Sequence, residues 1–130
     1  MTKKIIKSKL PFPLSEAILN DDKYSMEISG QIGTNPETGK LAVGIEEQTI
    51  QTLEKIKKIL ESVGWDLKNI IKSRVYLSDM ENYSKMNEVY GRYFQKNYPT
   101  RVSFSVKELP LNALVEIECV ASGDQIKSSF

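Results

Sequence analysis

The chain has 130 residues, with 18 Lys plus Arg against 17 Asp plus Glu, a single cysteine and no histidine. A net charge of +1 gives no global attraction to nucleic acid or to an acidic membrane surface. The lone cysteine excludes an intrachain disulfide, and with no histidine neither a zinc site nor a Ser-His or Cys-His nucleophile is expected.

At the N-terminus, Lys3 and Lys4 precede a run broken by Lys7, Lys9 and two prolines. That is not the pattern of a signal peptide, and no stretch approaches the roughly 18 apolar residues of a membrane span. A cytoplasmic protein without a membrane partner is expected, and the length fits a single domain over residues 1–130. Ser15–Leu19 reads as a short strand and Asn20–Lys23 as a turn. Tyr24, Met26 and Ile28 alternate with polar residues up to Gly30, which is strand periodicity. Asn35–Lys40 has turn chemistry.

From Ile45 the period becomes helical: Ile45, Ile50, Leu53, Ile56, Leu60 and Val63 form one stripe. Glu46 and Glu47 suit its positive end and Gly64 its stop. Ile71 to Leu77 alternates again, and Ser78–Glu81 reads as a capping box for a second helix running to about Asn97, before Pro99. Val102–Val106 and Val115–Ala121 are the last two strands, and the tail from Gly123 carries no pattern and is expected to fray. The order β-β-α-β-α-β-β predicts an α+β subunit with two helices on one face of a sheet. The other face must then be solvated or buried against another subunit.

The last two strands hold the most informative polar residues. If Val115, Ile117 and Cys119 face the helices, Glu116 and Glu118 point away. On the same parity Val102, Phe104 and Val106 face the helices, and Arg101, Ser103 and Ser105 share the uncovered face with the two glutamates. Such a set can converge on a ligand, or it can be a solvated sheet face with surface ion pairs. Cys119 reads as a small core residue, Trp65 and the helix tyrosines as packing, Lys55, Lys57 and Lys58 as a solvated helix face, and Asn87 as a structural hydrogen-bonder.

Pro99-Thr100-Arg101-Val102-Ser103-Phe104, followed by Lys107, Leu109 and Val115-Glu116-Ile117, resembles the C-terminal signature of the RidA/YjgF/UK114 family of enamine/imine deaminases. Ser29–Ile32, Asn35–Gly39, Glu46–Thr49, Val75–Met80 and Met86–Tyr90 carry further similarity, so the resemblance spans residues ~10 to ~121. It implies a chorismate-mutase-like subunit in a homotrimer, with sites in clefts between subunits and no cofactor. It also implies hydrolysis of 2-aminoacrylate, 2-aminocrotonate and their imine tautomers to 2-keto acids and ammonia. By the resemblance, Arg101 matches the family's carboxylate-binding arginine and Glu116 the glutamate that holds and helps activate water. Ser103 supplies a backbone carbonyl near that water, and Gly30 lets the backbone approach the ligand. Leu14, in Phe12-Pro13-Leu14-Ser15, stands where the family usually has a tyrosine. That departure leaves a second reading, a non-catalytic trimer that binds small carboxylates for regulation. The neutral charge and the lack of a basic aromatic strip argue against a nucleic-acid partner.

Overall fold

The computed structural model describes residues 3–127. Six strands form one mixed sheet: β1 (Lys3–Lys7), β2 (Ser15–Asn20), β3 (Tyr24–Ile32), β4 (Ile70–Leu77), β5 (Thr100–Ser105) and β6 (Val115–Gly123). Their spatial order is β1-β2-β5-β4-β6-β3. Two helices, α1 (Ile45–Glu61) and α2 (Tyr83–Phe94), cover one face. The α+β architecture predicted from periodicity is the one observed. β1 is an addition: its Lys-Lys-Ile-Ile-Lys sequence does not alternate, and it pairs antiparallel with β2 at the sheet edge.

The α1 stripe buries Ile45, Leu53, Ile56 and Leu60 against Val75, Ile117 and Met86. Thr49 and Thr52 are also buried on this face. Each returns its hydroxyl to the carbonyl four residues back, Ile45 and Gln48, at 2.7 Å, which satisfies an otherwise costly buried donor. Gln48 ties the helix to its surroundings: its Nε2 donates to the Ala42 carbonyl at 3.0 Å and its Oε1 accepts from Leu114 N at 2.8 Å. α1 ends as Gly64 predicted. Gly64 adopts φ 79°, its N–H bonds to Glu61 O at 3.0 Å, and Trp65 N–H bonds to Leu60 O at 3.0 Å, the paired bonds of a Schellman stop.

Three details differ from expectation. α2 ends at Phe94 rather than near Asn97, because Gln95 turns to φ 58°. The cap is Asp79 rather than the Ser78 of the expected capping box: its side chain accepts from Glu81 N at 2.9 Å and caps a short 3-10 turn over Met80–Asn82, from which α2 follows. The tail is held as far as Lys127. Its N–H bonds to Val63 O at 3.0 Å, and Trp65 Nε1 donates to Gln125 O at 2.6 Å. The last three residues of the tail lie outside the described residues. Among the described residues, no helix is long and apolar enough to cross a membrane.

The largest correction concerns β5. It pairs in parallel with β4, in the register Ser73↔Arg101, Val75↔Ser103 and Leu77↔Ser105. β4 in turn pairs with β6 as Ser73↔Cys119, Val75↔Ile117 and Leu77↔Val115. Directly paired residues share a face, and Val75, Leu77, Ile117 and Val115 are core. Arg101, Ser103 and Ser105 therefore point to the helix side, while Val102 and Phe104 point to the uncovered side at 50% and 45% exposure. Alternation gave the strand correctly, but the apolar parity of β5 does not mark the core.

Candidate active site

Arg101 is the second residue of β5, just after Pro99-Thr100, and turns its guanidinium under α2. The residue is only 9% exposed. Two tyrosines of α2 stack on the cation, with Tyr90 centred 5.0 Å and Tyr83 5.7 Å from Cζ, distances at which a ring face attracts a guanidinium. Nη2 donates to the Tyr83 hydroxyl at 3.2 Å. Nε and Nη1 are buried and have no hydrogen-bond partner among the described residues.

Beneath the cation lies a polar chain: Tyr90 donates its hydroxyl proton to Ser73 Oγ at 2.9 Å, and Ser73 Oγ is 3.6 Å from Cys119 Sγ. Burial raises the Tyr90 phenol above its ordinary range and pushes the Cys119 thiol up to about 12. Cys119 is thus a neutral core thiol, as the sequence suggested.

A cleft of about 300 Å³ opens where β2 meets β5, a junction with the single paired register Ser15↔Thr100. Arg101, Leu14, Ser15 and Val102 are among its walls. Ser15 is buried and its hydroxyl donates to Tyr98 O at 2.5 Å, fixing the chain segment that carries Leu14. Leu14 and Arg101 therefore meet at one cleft. Ser103 sits two residues along the same face, and its hydroxyl is buried with no partner among the described residues. The Oδ1 of Asn87 is likewise buried and unpartnered, so its carbonyl oxygen makes none of the structural bonds expected of it.

Glu116 and Gly30 meet elsewhere. Glu116 pairs across from Tyr76 and from Ile32 of β3, on the uncovered face. The β3–β6 register shifts between Ile28 and Gln31, and at this bulge the Glu116 carboxyl lies over Gly30. A Cβ at position 30 would overlap Oε2 and stand 2.9 Å from Cδ. The expected convergence of Arg101 and Glu116 on one face of one subunit is therefore wrong. Arg101 and Ser103 lie toward the helices, Leu14 lines the cleft that Arg101 also lines, and Gly30 and Glu116 lie on the open side. The cause is the β5 parity described above.

The open face also carries Tyr76, whose hydroxyl bonds to Glu118 and whose ring meets Phe104 edge-on at 5.2 Å. Glu118 raises the pKa of Tyr76, with desolvation adding to it. Lys55 is more than a solvated charge: its Nζ donates to Ile32 O and Thr34 Oγ1, both at 2.9 Å, and burial lowers its pKa. Tyr83, read as packing, proves to be the guanidinium's hydrogen-bond partner. Its place on α2, seven residues before Tyr90, was visible; its pairing with a residue of β5 was not.

Among the described residues no group of three His, Cys, Asp or Glu side chains gathers to hold a metal. The family model "Endoribonuclease L-PSP" matches residues 12–122. A RutC family protein of Aquifex aeolicus is 51% identical over 96 residues, covering 72% of this chain and 77% of that protein. The human 2-iminobutanoate/2-iminopropanoate deaminase is 39% identical over 110 residues, covering 84% and 79%. The crystal structure of E. coli TdcF with bound serine superposes with a TM-score of 0.73 at 31% identity, covering 92% of this chain and 98% of that one. With a family match over nearly the whole sheet-and-helix unit, and relatives of this identity, the chain belongs to the endoribonuclease L-PSP family, the RidA/YjgF proteins.

Proposed function

We propose that this chain hydrolyses 2-imino acids, and the enamines that tautomerise to them, to 2-keto acids and ammonia. Arg101 anchors the substrate carboxylate and Glu116 serves the attacking water. The observation that carries the reading is the Arg101 guanidinium, buried with two donor atoms that have no partner among the described residues, on a residue that also lines the cleft. Unpaired buried donors on a charged group cost stability. A planar carboxylate is the ligand whose shape and charge match a guanidinium fork. The human relative is named for deamination of such imines, and the E. coli relative holds serine, which also bears a carboxylate beside a C–N bond.

In the reaction, water adds to C2 of the imine while its proton passes to Glu116. Glu116 hands that proton to the former imine nitrogen, giving the carbinolamine; its hydroxyl proton then passes by way of the same carboxylate to the amine, and the C–N bond breaks as the C=O forms, leaving the keto acid and ammonia. An imine carbon is already electrophilic, so positioning and modest proton transfer suffice without metal or cofactor. Because Arg101 and Glu116 lie on opposite faces of one sheet, one subunit cannot supply both to one substrate. The reading therefore requires a second copy, and a homotrimer places the Glu116 face of one subunit against the Arg101 cleft of the next. The exposed Val102 and Phe104 on the open face supply apolar surface for that contact.

Leu14 at the cleft favours a second reading, in which the trimer binds small carboxylates without turnover. One experiment separates the two. 2-Aminoacrylate and 2-aminocrotonate are generated with a dehydratase, and keto-acid release is followed with and without the protein. Acceleration supports the deaminase. Calorimetric binding of a 2-keto acid without acceleration supports the binding protein.

A further inference from the structure

Tyr83 is the one side chain hydrogen-bonded to the Arg101 guanidinium among the described residues. The direction of that bond matters. A guanidinium only donates, so the phenol oxygen accepts from Nη2 and its own O–H proton is left over. That proton stands within one hydrogen bond of the cation. The ring itself is held twice: its face lies 5.7 Å from Cζ, and Phe12 meets it edge-on at 5.6 Å and 65°. Phe12 precedes Leu14 by two residues, so the ring that presents the hydroxyl also contacts the segment that brings Leu14 to the cleft. Leu14 has no hydroxyl to offer there.

We infer that Tyr83 is a second anchor for the ligand's carboxylate: its phenol oxygen accepts a hydrogen bond from Arg101 Nη2, and its own O–H donates to the carboxylate oxygen that the arginine holds. The inference rests on the proposal that Arg101 binds a carboxylate, and it names the residue that shares the task. An anion bound to a guanidinium alone competes with water for its remaining lone pairs. A fixed phenol beside the cation satisfies one of them and selects a carboxylate over a neutral group of the same shape. The stacked geometry explains why the hydroxyl is fixed at little entropic cost, since the ring cannot leave without losing the cation and Phe12 together.

The test compares two ligands on three proteins. Binding of 2-oxobutanoate and of its methyl ester is measured by NMR titration of the wild-type protein, Tyr83→Phe and Arg101→Ala. Tyr83→Phe keeps the ring and both ring contacts and removes only the hydroxyl. It should weaken 2-oxobutanoate on the order of 10-fold, the loss of one hydrogen bond to a charged group, and leave the ester within about 2-fold. The acid-over-ester preference then falls by the same factor. A Tyr83→Phe protein that retains the wild-type preference, or that loses both ligands equally, overturns the inference, because packing alone does not distinguish acid from ester. Arg101→Ala tells the two failures apart. If it abolishes acid binding while Tyr83→Phe does nothing, only the second anchor is wrong. If it too leaves binding unchanged, the carboxylate site itself is misplaced.

Discussion

The carboxyl group of Glu116 lies directly over the backbone of Gly30, in space that any side chain at position 30 would occupy. The obstacle to a larger residue is the end of a flexible side chain and not backbone, so the structure can yield by moving Glu116. Gly30→Ala should therefore fold and assemble as the wild type does, with its Glu116 carboxylate displaced. Imine hydrolysis should fall by on the order of 10²-fold, the scale of a lost general base, while the melting temperature changes by only a few degrees. A stable Gly30→Ala protein with full turnover would detach this pair from the chemistry.

Glu116→Gln separates holding water from accepting its proton. The amide keeps the shape of the side chain but cannot act as a base. Binding of a 2-keto acid should persist, and turnover should drop ~10²–10⁴-fold. Stopped-assay keto-acid release under saturating imine measures it; unchanged turnover would leave water activation to backbone groups.

Leu14→Tyr adds a hydroxyl at the cleft wall beside Arg101. Activity on short-chain imines should rise, or at the least not fall, by the worth of one hydrogen bond, about 0.5–1.5 kcal/mol. A large loss in a well-folded variant, measured with the same assay, would mean that the cleft is shaped around leucine for another ligand.

Cys119 offers a pH test of the core. Its folded-state thiol is held up at about 12, against an ordinary value of 9.0, so the folded protein retains this proton where the unfolded chain has lost it. The stabilisation from this group is complete below pH 9.0 and is lost as pH rises towards 12. At pH 8 iodoacetamide should modify Cys119 in urea and leave it untouched in the native protein, as read by mass spectrometry. Rapid native labelling would contradict a buried, protonated thiol.

Sequence pattern gave the helices and five of the six strands because their signals are local: the stripe from Ile45 to Leu60, the Gly64 stop, the alternation of β4 and β6. β1 escaped because two adjacent isoleucines between lysines have no two-residue period. The family motif likewise led to Arg101, Glu116, Gly30, Ser103 and Leu14 as residues to inspect. What could not be read was their mutual arrangement. In β5 the apolar residues Val102 and Phe104 face away from the helices, and the arginine between Thr100 and Val102 enters the helix side, where Tyr83 and Tyr90 receive its charge. A pattern that assigns apolar residues to the core assigns such a strand the wrong way round. Tyr83 was hidden for a related reason: a tyrosine at helical spacing looks like packing until the residue across from it is known.

The most direct measurement mixes two inactive proteins. Arg101→Ala should neither bind a 2-keto acid nor hydrolyse imines, Arg101→Lys should recover little, because an ammonium lacks the planar fork, and Glu116→Gln should be slow. Arg101→Ala and Glu116→Gln chains are unfolded together, refolded at equal concentration and assayed for keto-acid release. If the site takes Arg101 from one subunit and Glu116 from its neighbour, each mixed trimer regains one intact site. Activity should then return to about one quarter of wild type, the value for random mixing around a ring of three. If the mixture is as inactive as its parents although mixed trimers form, Arg101 and Glu116 do not meet across a subunit boundary, and the account of the site is contradicted.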